Sequence, residues 1–199
     1  MLAMLPAPTL LETERLLLRE LTPDLYGRLF RSCSEREIKA YLGLSTPAEY
    51  EEAKRRFDEG MTTYFTSFQN FHLLDKQDRQ VIGRCDFHTW VPTHRRAEIG
   101  YILTSEAHKN KGLMTEALRA VLAYGFEQMG LYRVEALASP RNVPSLQLLK
   151  RYGFKKEGLL RNHYMVNEVL EDSVLFSLLR PEFEDLKATW AQAQANPNS

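Results

Sequence analysis

The stretch His108-Lys109-Asn110-Lys111-Gly112-Leu113-Met114-Thr115-Glu116-Ala117-Leu118 decides the fold. An apolar, strand-like run over residues 97–103 precedes it, and a helical pattern opens with it and runs to about Met129. A short, basic, glycine-bearing loop between a strand and a helix is a place where backbone N–H groups converge on an anion, and the helix dipole adds partial positive charge at the same point. Lys109 and Lys111 stand where that dipole disfavours cations, a placement that makes sense if a phosphate normally lies there. Gly112 allows close backbone approach or a positive φ. The other reading is an ordinary helix start with surface lysines, and the flanking chain has to choose between the two.

C-terminal to the loop, Met114, Leu118, Val121, Leu122, Gly125 and Met129 form a broad apolar helix face, with Gly130 as its stop. Residues 133–138 read as a strand. Asn142 is a helix N-cap with Pro144 in the first turn; Leu148, Leu149 and Tyr152 follow at helical spacing, and Gly153 ends that helix. Residues 154–165 and 173–179 read as two further strands, turning around Asn167-Glu168. After Pro181 a short helix over Phe183, Leu186 and Trp190 leads into a polar end, expected to fray.

N-terminal to the loop, residues 13–21 form a first strand. Thr22 then caps a helix with Pro23 at its first position, and Leu25, Leu29, Phe30 and Cys33 give it a buried face. Thr46 and Glu49 are spaced as a capping box for a second helix, whose apolar stripe is Tyr50, Ala53, Phe57, Met61 and Tyr64. Residues 68–75 and 80–90 alternate as a hairpin around the polar turn 75–79, and 91–96 is a loop containing Pro92. Gly100 interrupts the third strand of this group and marks a bulge or a close backbone approach. The order predicts one α+β sandwich: a meander of antiparallel strands, then units with crossover helices. Residues 1–12 read as an N-terminal extension, 13–180 as a single domain and 181–199 as a C-terminal tail, with no internal repeat or linker.

The bulk numbers bound the function. With 26 basic and 26 acidic residues the formal net charge is zero, so no overall field recruits nucleic acid or an anionic membrane. Cys33 and Cys85 stand in no metal or redox spacing and fit a reducing compartment. No apolar run approaches the roughly 20 residues of a membrane span, and the first residues lack the basic region of a signal peptide, which predicts a cytoplasmic protein. The five histidines show no paired ligand spacing, so no metal is expected, and no Walker loop, dinucleotide fingerprint or serine elbow is present.

Ala97-Glu98-Ile99-Gly100-Tyr101, the loop through Ala117, Asn142-Val143-Pro144-Ser145 with Leu148-Leu149 and Gly153-Phe154, and Glu157-Gly158 with Arg161 together resemble the GNAT superfamily of acetyltransferases, most closely its RimJ/RimL-type ribosomal-protein branch. The resemblance spans roughly residues 13–179 and implies a mixed, mostly antiparallel sheet of about seven strands with a central V-shaped splay, flanked by about four helices. It implies acetyl-CoA as co-substrate and an amine acceptor, either a protein N-terminus or a small molecule, in a monomer or homodimer. Lys109, Asn110, Lys111, Gly112, Leu113, Met114 and Thr115 then hold the pyrophosphate through backbone N–H groups, Ile102 and Leu103 pair with the pantetheine arm, and Asn142 contacts the coenzyme. Lys109 and Met114 depart from the family's usual loop residues, a mild change because a backbone donor does not depend on its side chain.

The resemblance also sets the catalytic question. The position of the family's usual tyrosine acid is Leu149, and Ser145 is the residue considered for that role in the Rim-type branch. Glu98 is the candidate base, acting directly or through a water; the alternative is a structural ion pair with Arg95 or Arg96. An α-amino acceptor with a pKa of about 8 asks little of a base. His163 and Tyr164 either line the acceptor side or pack in the hairpin, and the alternation of Cys85 with Val81, Gly83 and Phe87 points to packing rather than to a covalent nucleophile. A non-catalytic acyl-CoA-binding or partner-binding domain on the same fold is the competing function.

Overall fold

The computed structural model describes residues 8–59 and 69–195. The apolar positions Met61, Tyr64 and Phe68, the leader up to Ala7 and the last residues from Asn196 lie outside the described residues. In chain order the elements are β1 (Leu10–Glu12), β2 (Leu16–Leu21), α1 (Pro23–Ser32), α2 (Glu35–Leu42), α3 (Pro47–Asp58), β3 (Gln69–Asp75), β4 (Val81–Val91), β5 (Arg96–Leu103), α4 (Leu113–Glu127), β6 (Arg133–Ala138), α5 (Val143–Arg151), β7 (Lys155–Val166), β8 (Val169–Leu179) and α6 (Arg180–Ala195). Single 3-10 turns at Pro92–His94 and Glu106–His108 flank β5. The strands form one mixed, mostly antiparallel sheet in the order β1-β2-β3-β4-β5-β6-β8-β7. No helix among the described residues is long and apolar enough to cross a membrane.

The eight strands and six helices described exceed the expected seven and four, for local reasons. Leu10–Glu12, expected in an extension, pairs antiparallel with β2 at Leu10↔Arg19, and Thr13 turns the chain by donating its N–H to Leu16 O at 3.0 Å. Ser34 starts a separate helix, α2, because its side chain and Glu37 complete a capping box, and Gly43 closes that helix at φ 70°. Helix α6 starts before Pro181 and is longer than expected; Phe183 is fully buried and stacks on Phe126 with centroids 4.5 Å apart. The caps expected at Thr22, Thr46 and Asn142 are all formed.

The chain groups into two compact units. The first contains the described residues up to Trp90 together with Tyr101–Ala123. Its helical core is Leu21, Leu25, Tyr26, Leu29, Ile38, Leu42 and Ala53, over which Phe30 stacks on Tyr26, Tyr50 and Phe57. The hairpin expected over 68–90 is β3–β4, with Phe71↔Cys85 and Gln69↔Phe87 in register. Gly83 is a close-approach glycine: a Cβ there would come within 2.3 Å of Ile102 O, so only glycine lets β4 lie this close to β5.

The second unit contains Val91–Gly100 and the chain from Tyr124 onward. Here β5 pairs parallel with β6 at Arg96↔Arg133, Ala97↔Val134 and Glu98↔Glu135 only, although β5 runs on to Leu103 and β6 to Ala138. β8 lies antiparallel to β6 and β7 antiparallel to β8. Leu131, Val134, Leu149, Leu178 and Phe183 are buried in this unit, and Tyr152 packs edge-on against Trp190 at 5.5 Å.

Candidate active site

The loop that organises the first unit is built by backbone conformation. Asn110 has φ 59° and Gly112 φ 75°, so two alternate residues adopt the left-handed form just before α4. Where left-handed residues alternate with right-handed ones, successive amides turn toward one side in a concavity that suits an anion. Glu116 N–H donates to Gly112 O at 3.0 Å and closes the first turn of α4, leaving first-turn amides, beginning with Leu113 and Met114, without acceptors inside the helix. Leu113 is buried and anchors the turn, while Lys109, Asn110, Lys111 and Gly112 are exposed and Met114 and Thr115 half-buried. The Lys109 ammonium pairs with Glu106, an exposed ion pair of small energetic weight.

The remaining partners of this loop were not anticipated. Arg15, at the start of β2, donates its backbone N–H to Glu116 Oε1 at 2.7 Å, its Nε to Glu116 Oε2 at 2.7 Å and its Nη1 to Lys111 O at 2.8 Å. Thr13 Oγ1 donates to Glu116 Oε1 at 2.5 Å. Burial alone would raise the Glu116 carboxyl, but these hydrogen bonds from Thr13 and Arg15 hold it below the usual carboxylate range. In the sequence Glu116 is a polar position on a helix and Arg15 a charge before an apolar run; 101 residues separate them, and no short-range pattern joins them.

In the second unit Asn142 and Ser145 come together through the cap: Ser145 N–H donates to Asn142 Oδ1 at 3.2 Å. Asn142 is exposed and Ser145 half-buried. Leu149 is fully buried, and Tyr152 is a core residue, in line with its sequence reading. Glu98, half-buried on β5, stands opposite Glu135 in register. Arg96 Nη1 donates to Glu135 Oε2 at 3.2 Å, Arg133 Nε donates to Glu135 Oε1 at 2.7 Å, and Arg133 Nη1 continues the network to Glu157 at 3.1 Å. Burial, and then the negative charge of Glu98, push the Tyr164 phenol above its ordinary value, which couples that hairpin tyrosine to the candidate base. His163 lies edge-on to Tyr164 at 4.4 Å.

Two further side chains have defined states. Cys85 is fully buried in the first unit, and burial followed by the charge of Asp86 pushes its thiol well above the ordinary range, which disfavours the thiolate. Both cysteines are free thiols. His72 is held neutral: burial, then the Arg19 and Arg84 charges, push it down to about 3.

Comparison with known proteins completes the picture. The model of the acetyltransferase (GNAT) domain matches residues 15–155, from Arg15 to the start of β7. The uncharacterized N-acetyltransferase YoaA of Bacillus subtilis is 33% identical over 173 residues, 86% of this chain and 97% of that protein. The ribosomal protein uS5-alanine N-acetyltransferase of Escherichia coli is 32% identical over 114 residues, 57% of this chain and 58% of that protein. A crystal structure of a GCN5-related N-acetyltransferase from Brucella melitensis has a TM-score of 0.68 at 27% identity, covering 94% of this chain and 86% of that one. With the strand, loop and helix order already in view, and a domain match over most of its length, the chain belongs to the GNAT acetyltransferase family, with ribosomal-protein N-acetyltransferases among its relatives.

Proposed function

We propose that this N-acetyltransferase moves the acetyl group of acetyl-CoA to a primary amine, a protein N-terminus before a small amine, by direct transfer in a ternary complex. The observation that carries the reading is the loop before α4. Asn110 and Gly112, both left-handed and exposed, lead into the start of α4, where backbone donors can serve a diphosphate without any side chain being required. Lys109, Lys111 and Thr115 complete that wall, and Asn142 adds a coenzyme contact. Leu103 serves the pantetheine arm better than Ile102, whose carbonyl is turned toward Gly83 of β4; backbone groups of adjacent strand residues point to opposite edges. When bound, acetyl-CoA supplies an activated acetyl thioester.

The chain's own residues then handle protons. The Glu98 carboxylate, directly or through a water, takes the proton from the attacking amine. The Ser145 hydroxyl gives a proton to the departing sulfur, the role left open by Leu149. An α-amino acceptor fits this modest machinery, since about a tenth of such a group is neutral at pH 7, whereas a lysine amine is almost wholly charged. The uS5-alanine relative favours an N-terminal amine as the first acceptor to try. A free, buried Cys85 favours direct transfer over an acetylated cysteine. Two free thiols fit a reducing, cytoplasmic setting.

The test is thiol release from acetyl-CoA against alanine-led and serine-led peptides, polyamines and small amines. Turnover on an N-terminal amine is the expected result. Tight coenzyme binding with no turnover on any acceptor would sink the enzymatic assignment.

A further inference from the structure

The loop before α4 is held in shape by a residue about a hundred positions earlier. The Arg15 guanidinium reaches Glu116 Oε2 with Nε and Lys111 O with Nη1, at 2.7 and 2.8 Å, while its own backbone N–H is bound to Glu116 Oε1. Its Nη2 lies 3.5 Å from where a Cβ on Gly112 would stand. One planar fork therefore ties the carbonyl between two left-handed residues to the first turn of α4, and faces the glycine of the loop with positive charge. With the Lys111 carbonyl held on the arginine side, the peptide plane between Lys111 and Gly112 is fixed, and with it the direction of the Gly112 N–H. Thr13 completes the support by donating to the same Glu116 oxygen that accepts the Arg15 N–H. Glu116, kept ionised below the usual carboxylate range, is the fixed point of the arrangement. An arginine in the bend before β2 could be satisfied by one ion pair; here its donors are divided between the helix and the loop.

We infer that Arg15 is a positioning residue for the donor site: with Glu116 it sets the loop amides for the diphosphate of acetyl-CoA. The inference rests on the loop reading in the preceding section. Arg15→Lys keeps the charge but loses the fork, since an ammonium is a compact point charge that does not reproduce the planar arrangement. Glu116→Gln keeps shape and removes the ionic anchor.

The experiment compares acetyl-CoA with S-acetyl-pantetheine, which has the same thioester and no phosphates, as donors to whichever acceptor the wild type uses. Arg15→Lys should raise the KM for acetyl-CoA about tenfold or more, as expected for losing a hydrogen bond to a charged group, with kcat changed less than about threefold. Its KM for S-acetyl-pantetheine should stay at the wild-type value. Glu116→Gln should move in the same direction by a smaller factor, and carries the test if Arg15→Lys does not fold. Equal losses with both donors would mean that Arg15 only supports the fold, and an unchanged KM for acetyl-CoA would remove it from the donor site; either result overturns the inference. Calorimetric titration of CoA into Gly112→Asp separates the two levels. If Gly112→Asp binds CoA poorly while Arg15→Lys binds it normally, the loop reading stands and the positioning role falls. If Gly112→Asp also binds normally, both fall.

Discussion

Substituting Gly112 perturbs the donor site with a size that can be worked out beforehand. The residue has φ 75°, and an added Cβ would meet only Arg15 Nη2, at an ordinary 3.5 Å. Gly112→Ala therefore fits sterically, and its cost lies in the backbone, about 1–2 kcal/mol for a side chain in the left-handed region. The free protein relieves that strain by turning the peptide, which misdirects the loop amides; binding a diphosphate then has to restore it. CoA affinity should fall by about five- to thirtyfold, at 1.4 kcal/mol per factor of ten. Gly112→Asp adds a carboxylate. About 5 Å from one phosphate charge it is repelled by roughly 3 kcal/mol at an effective dielectric near 20. Arg15, already paired with Glu116, stands beside the new carboxylate with and without CoA and so offsets none of this; Asp should bind CoA about a hundredfold more weakly than Ala. Titration calorimetry with CoA reads both steps, and a melting curve for each variant reports whether the strain is carried in the folded protein. Wild-type affinity in both variants, or an Asp variant that binds as well as the Ala variant, would refute the placement of a diphosphate at this loop.

Glu98→Gln should lower kcat by about a hundredfold or more while leaving CoA affinity in place, the effect expected of a lost general base; equal rates at neutral pH would transfer the proton to solvent. His72 makes stability pH-dependent. Its folded value, near 3, lies below the ordinary value of 6.5, so the unfolded chain takes up the proton first. That stabilisation is complete above pH 6.5 and is lost progressively toward pH 3, costing on the order of 3 kcal/mol at pH 4.5. Urea unfolding at pH 7 and 4.5 should show a drop that is smaller by about that amount in His72→Gln; equal drops would show that another group governs the acid limb. Phe183→Ala should cost about 3–5 kcal/mol, because this fully buried ring stacks on Phe126. A loss under about 1 kcal/mol in the same unfolding assay would mean that α6 adds little to its unit.

What was legible in the sequence was local. Thr22, Thr46 and Asn142 cap helices because each side-chain oxygen reaches an amide three residues on, and Gly130 and Gly153 end them with φ of 68° and 71°. The break before α4 was readable for the same reason: two lysines, a glycine and a helix start stand within a few residues, and Gly112 has φ 75°. Ser34 and Glu37 were equally readable as a cap, but the apolar spacing that ran up to Cys33 drew the first helix to that point and left α2 unassigned. Helix α6 was underestimated because a sequence ending in polar residues does not announce that Phe183 meets Phe126.

The rest belongs to the tertiary structure. Only the folded chain brings Arg15 to Glu116 and Lys111, turns Gly83 toward Ile102, and commits Arg96 and Arg133 to Glu135. It also brings the charge of Glu98 to bear on Tyr164. The sequence by itself determined the class of fold and the family, because capping, backbone conformation and strand alternation act over a few neighbouring residues. Which side chain steadies the loop before α4 was decided by tertiary structure alone, because a charge and its partner a hundred residues apart share no local pattern, and meet only when the sheet sets their strands and helices side by side.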